Sequence, residues 1–142
     1  NHTYSHIKTQ IREVLNQFHR NDKIVIGLTG LSLGLEQEFA NICKQQGITY
    51  NVYLSHDNPT KSWEDLPNVI MQYHNMLQTS NTSIDVSNGS YSPKKCLQRQ
   101  LRILKDSDCV IYVSGFLPIK NDKIQAMLNT KQTIIIPFNI NV

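Results

Sequence analysis

Two spacings of apolar residues alternate along this chain. Ile7, Ile11, Val14, Leu15 and Phe18 recur every three or four positions and predict an amphipathic helix over residues 4–20. Lys23 to Leu28 is a short β-branched run without polar alternation, the pattern of a strand covered on both faces by helices in a parallel sheet. Leu35, Phe39, Ile42 and Cys43 restore helical spacing, and Gly47 stands where a left-handed helix cap is wanted. Ile48 to Leu54 is the second predicted strand. Ser55 to Asp65 is polar, contains Pro59 and the only tryptophan, and reads as a loop leaving a strand end. Leu66, Val69, Ile70, Tyr73 and Leu77 give the next helix, and Ser83 to Ser87 a short strand. After the turn-like Asn88-Gly89-Ser90, a helix is predicted over residues 92–106, with Pro93 in its first turn and Cys96, Leu97, Leu101 and Leu104 as its buried side. Cys109 to Val113 is a buried strand, Ile124, Met127 and Leu128 mark a short helix, and Thr133 to Phe138 is the last strand.

Strands alternating with helices at this spacing predict an α/β fold, a doubly wound and mostly parallel sheet flanked by helices. Ligands of such folds bind beyond the carboxyl ends of the strands. The informative loops are then those that begin near Gly27, Ser55, Ser87 and Ser114.

A length of 142 residues fits one domain. The formal net charge of +3 is spread along the sequence, with no run of Lys or Arg to mark a nucleic-acid or membrane footprint. Cys43, Cys96 and Cys109 form no C-x-x-C pair and lie within apolar segments, as reduced core thiols of a cytoplasmic protein would. There is no apolar run long enough to cross a membrane and no secretory pattern at the N-terminus. The N-x-[ST] triplets beginning at Asn1, Asn81 and Asn88 read as chance matches in an Asn- and Ser-rich chain. His2 and His6 lie four apart on one helical face, but no third ligand stands near them, and no metal site is expected.

The chemistry concentrates where Ile24-Val25-Ile26 runs into Gly27, Gly30 and Gly34 and then into a helix carrying Glu36. Glycines let backbone N–H groups approach a ligand, and a helix start offers unpaired donors and a positive dipole end to an anion. The spacing is not G-x-G-x-x-G, so a plain strand-to-helix turn stands beside the phosphate-cradle reading. In the cradle reading the bend presents free amide hydrogens to an anionic guest. Thr29 and Ser32 add hydroxyl donors there, or merely cap the helix. Glu36 can accept from a ribose hydroxyl or act as an acid/base group, or it is simply a first-turn acid favoured by the dipole. Arg99 has a fork of donors suited to phosphate, with Gln98 and Gln100 beside it as amide donors and acceptors; a solvated helix surface is the plainer reading. Trp63 and Tyr91, in loops after strands, are candidates to stack on a base. His56 and Asp57 also follow a strand, without an accompanying nucleophile.

Taken together, four stretches give the chain a resemblance to a known family. They are Thr29-Gly30-Leu31-Ser32-Leu33-Gly34-Leu35-Glu36; Lys61-Ser62-Trp63 with Tyr73-His74; Ser90-Tyr91-Ser92-Pro93; and Gln98-Arg99-Gln100 with Ser107-Asp108 ahead of the strand at Cys109. In that order the chain resembles, over nearly its whole length, the YpsA/YspA-like branch of the SLOG superfamily, related to the LOG and DprA proteins. The resemblance implies a Rossmann-like fold and a nucleotide or nucleotide-derived ligand, held by Thr29, Gly30, Ser32, Gly34, Glu36, Tyr91, Arg99 and Gln100. No cofactor is expected. Relatives carry a strand with a Gly-His-Arg-like motif ahead of the first helix here, so the sequence is expected to be a piece of a longer chain, or to have that gap filled by another segment or a second copy in a homo-oligomer. Relatives also carry a Gly-Gly-Thr-like turn where this chain reads Ser114-Gly115-Phe116-Leu117-Pro118-Ile119-Lys120. The P-G-G-x-G-T-x-x-E motif of the LOG enzymes is absent.

The leading expectation is therefore a non-catalytic or weakly catalytic binding module for a nucleotide-like small molecule. The alternatives are an N-glycosidic hydrolase of nucleoside monophosphates or a phosphoribosyl-type enzyme, with Glu36 as base or nucleophile, and a degenerate structural or interaction domain.

Overall fold

The computed structural model describes residues 2–21, 23–114 and 121–137. It is α/β, with every strand pairing parallel to its neighbour. The chain gathers into two compact units, one built from residues 1–25 and 104–142 and the other from residues 26–103.

In the central unit, β1 (Ile26–Thr29), β2 (Thr49–Leu54) and β3 (Thr82–Asp85) form a sheet in the order β1-β2-β3. Between them run α2 (Leu35–Gln45) and α3 (Pro67–Gln78), with α4 (Pro93–Asp106) following β3. Parallel pairing sets Thr29 opposite Val52 and Leu54 opposite Asp85, so the loops leaving the strands emerge on one side. The apolar face of α2 supplies Ala40, Ile42 and Cys43 to a core that also holds Ile48, Val52, Tyr53, Tyr73 and Met76. The buried Tyr50 hydroxyl binds the Met76 carbonyl and lies 2.8 Å from Thr79 Oγ1, fastening the end of α3 to β2. Burial raises the Cys43 thiol to about 12, so it stays protonated and behaves as a small apolar residue.

The other unit contains α1 (His2–Arg20), α5 (Asp122–Asn129) and the parallel pair β4 (Cys109–Ser114) and β5 (Gln132–Pro137). Helical spacing in α1 works as its sequence implies: Ile7, Ile11 and Leu15 are buried while Glu13, Asn16 and Gln17 face solvent. Asn121 caps α5 by accepting from the amides of Lys123 (3.0 Å) and Ile124 (3.2 Å). No helix among the described residues is long and apolar enough to cross a membrane.

The strands sit a little off their expected bounds. β1 begins at Ile26 rather than Lys23, leaving Ile24 95% exposed, and β3 begins at Thr82 rather than Ser83. The loop after β2 holds one 3-10 turn at Lys61–Trp63. The turn from Gly115 to Lys120, expected as an eroded phosphate loop, and Phe138 of the last strand lie outside the described residues.

Candidate functional site

Beyond the carboxyl ends of β1 and β2, three stretches of the central unit converge. They are the bend from Thr29 to Gly34, the pair Ser55-His56, and the first turns of α4 with the loop before it.

The bend is built around Leu31. Its φ of +56° is left-handed, a costly conformation for a branched side chain, and its neighbours fix it from both sides. The Leu31 amide donates to Thr29 Oγ1 (3.1 Å), Gln37 Nε2 donates to the Leu31 carbonyl (3.0 Å), and the side chain is fully buried. A left-handed residue between two converging amides is the geometry of a backbone nest, which binds anions. Here the anion is internal: the amides of Gly30 and Ser32 donate to Glu36 Oε1 (3.2 Å) and Oε2 (3.3 Å). The amide hydrogens expected to be free are thus engaged, because the first turn of α2 brings Glu36 back over the bend. Gly34, with φ +95°, ends the bend as the N-cap of α2 and makes no side-chain cap.

Arg99 comes from α4 to the same bend. Its Nη2 donates to Ser32 Oγ (2.9 Å), and Nη1 makes long contacts of 3.5 Å with the Gly30 carbonyl and Ser55 Oγ. The side chain lies flat on Gly30, where an added Cβ would stand 2.7 Å from Nε and 2.9 Å from Cζ. Arg99 is only 9% exposed, and its Nε has no hydrogen-bond partner. Among the described residues no carboxylate lies within ion-pair distance of it. The solvated-surface reading of Arg99 therefore does not hold.

Ser55 Oγ lies 2.7 Å from His56 Nδ1 and 3.9 Å from Cys96 Sγ. The His56 ring meets the exposed Tyr91 ring edge to face, with centroids 5.3 Å apart. Partial burial lowers the His56 pKa, and the Arg99 and Lys95 charges push it the same way against Asp57. Asp57 and Gly89 exchange hydrogen bonds, Asp57 N–H to the Gly89 carbonyl (2.8 Å) and Gly89 N–H to Asp57 Oδ2 (3.1 Å), which pins the Tyr91 loop beside His56. Ser92 caps α4 by accepting from Lys95 N–H (3.2 Å).

Of the residues expected to form the site, Thr29, Gly30, Ser32, Glu36 and Arg99 are brought together, Tyr91 lies at the His56 side of the cluster, and Gln100 is an exposed residue on α4. Trp63 packs edge to face on Tyr73 at 5.6 Å. Ser55 and Cys96 were not expected here. Ser55 carried one usable signal, its place directly after a strand. An open depression of about 340 Å³ lies at the other end of the sheet, near Lys44, Thr49 and Asn81, away from these groups. Among the described residues no three His, Cys, Asp or Glu side chains gather as metal ligands.

No family model matches the chain, and no curated protein matches it.

Proposed function

We propose that the central unit binds a phosphate-bearing, nucleotide-like small molecule beyond the carboxyl ends of β1 and β2, in a domain of SLOG type, without turnover. The observation that carries this reading is Arg99. A guanidinium nine-tenths buried, with no carboxylate partner among the described residues and an unsatisfied Nε, is a costly arrangement unless an anion completes it. Its fork of donors suits a phosphate, with the Ser32 and Ser55 hydroxyls beside it. The His56–Tyr91 pair supplies an aromatic surface to cover a base.

Thermal denaturation against inorganic phosphate and a panel of nucleotides tests the reading, since a ligand of the folded state raises the midpoint by mass action. Arg99→Met separates function from scaffolding. Replacing an uncompensated buried charge by an apolar side chain of similar length should leave the ligand-free protein as stable, or stabler by about 1–3 kcal/mol, while phosphate binding is lost. Strong destabilisation with unchanged phosphate affinity would make Arg99 a structural residue and end the proposal.

A further inference from the structure

We infer that the Glu36 carboxylate is an internal stand-in for the ligand's phosphate: it occupies the nest of the bend and must swing out before a phosphate can bridge that nest to Arg99. The inference rests on the phosphate-binding reading above and adds what regulates that site.

Three features support it. First, the nest does not depend on the Glu36 side chain. Leu31 is held in its left-handed conformation by Thr29 Oγ1, by Gln37 Nε2 and by burial, and the Glu36 backbone carbonyl separately accepts from Thr29 Oγ1 (3.1 Å). Side-chain rotation alone would therefore empty the nest and leave its donors in place. Second, the amide contacts that hold Glu36, at 3.2 and 3.3 Å, lie at the long end of N–H···O hydrogen bonds, which centre on about 2.9–3.0 Å. Third, the nest and the guanidinium share one bend yet are not joined by their resident anion. Arg99 reaches the Ser32 hydroxyl and the Gly30 carbonyl, while Glu36 takes the Gly30 and Ser32 amides and forms no ion pair with Arg99.

A planar carboxylate offers two oxygens in one plane. A tetrahedral phosphate monoester offers three, directed apart, and more charge, so it can engage both amides and the guanidinium at once. The site should accordingly prefer phosphate monoesters to carboxylates, with an affinity held down by the competing side chain.

The test is calorimetric titration of inorganic phosphate into wild type, Glu36→Gln and Arg99→Met, with amide NMR of the wild-type protein. Glu36→Gln keeps the shape but removes the charge and one acceptor, so phosphate should bind about tenfold tighter or better. Glu36→Asp, too short to reach both amides, should also bind tighter, and serves if the glutamine variant folds poorly. In wild type the Gly30 and Ser32 amide signals should move as phosphate is added. If Arg99→Met abolishes phosphate binding but the Glu36 variants bind no tighter, or the two amide signals stay still, the displacement is refuted while the binding site stands. If phosphate binds neither wild type nor the Glu36 variants, or Arg99→Met leaves its affinity unchanged, the binding reading itself falls and takes this inference with it.

Discussion

At His56, burial and two cations act in one direction. Desolvation, then Arg99, then Lys95, lower its pKa below the ordinary 6.5, and Asp57 offsets only part of this. Below that value the unfolded chain takes up a proton that the folded ring resists. The unfolded state then binds more protons, so stability rises with pH across this window. His56 should thus cost nothing above about pH 7 and destabilise progressively as the pH falls through about 6.5 towards its lowered folded value. Denaturant midpoints at about pH 7.5 and about pH 5 check this, and His56→Gln should show a smaller fall between them. An equal fall in the variant would place the acid sensitivity elsewhere. The same reasoning links His56 to the ligand, because a phosphate beside Arg99 would cancel part of the repulsion that keeps the ring neutral.

At the scale of elements, the contact between β1 and α2 sets the bend's geometry. Gly27 faces α2 so closely that a Cβ would stand 2.9 Å from both Cys43 Sγ and Phe39 Cε2. Gly27→Ala must push α2 outward or distort β1, and should cost about 1–3 kcal/mol in urea unfolding. Because α2 carries Glu36, the variant should also disturb the Gly30 and Ser32 amide signals; unchanged stability would mean that the helix yields without strain. The same contact explains what could be read in advance. Helices were legible because an apolar stripe every three or four residues is a local property, as Ile7, Ile11 and Leu15 show once buried. Strand limits were less so: β-branched Ile24 and Val25 look like strand, but the ladder begins where Ile26 finds Thr49, a partner 23 residues on. At the site, glycines and Arg99 announced the bend. Leu31 gave no sign, since leucine rarely takes a positive φ, and neither did the occupation of the amides, which depends on Glu36 folding back across the bend. A solvated-helix alternative for Arg99 stayed open because Gly30, against which it packs, is far away in sequence.

For the molecule as a whole, connectivity predicts an order of dependence between its two units. The central unit is one continuous stretch from Ile26 to Ile103, whereas the other is assembled from both ends of the chain. Bringing those ends together closes a long loop, and the entropic cost falls once the intervening stretch is already compact. The helix α4 also runs without a break across the division at Ile103 and Leu104. The terminal unit can then open while the central one stays folded, but the central unit opens only when the terminal one has opened too, so its protection includes both. Val52→Ala, at a fully buried position of β2, should cost about 2 kcal/mol and speed amide exchange in its own sheet while β4 and β5 exchange as before. Ile11→Ala, in the buried stripe of α1, should cost about 2–5 kcal/mol and speed exchange in β1 and β2 as well as in β4 and β5. Were Ile11→Ala to leave β1 and β2 as protected as before, the central unit would be opening with the terminal unit still closed, and the dependence argued from connectivity would be wrong.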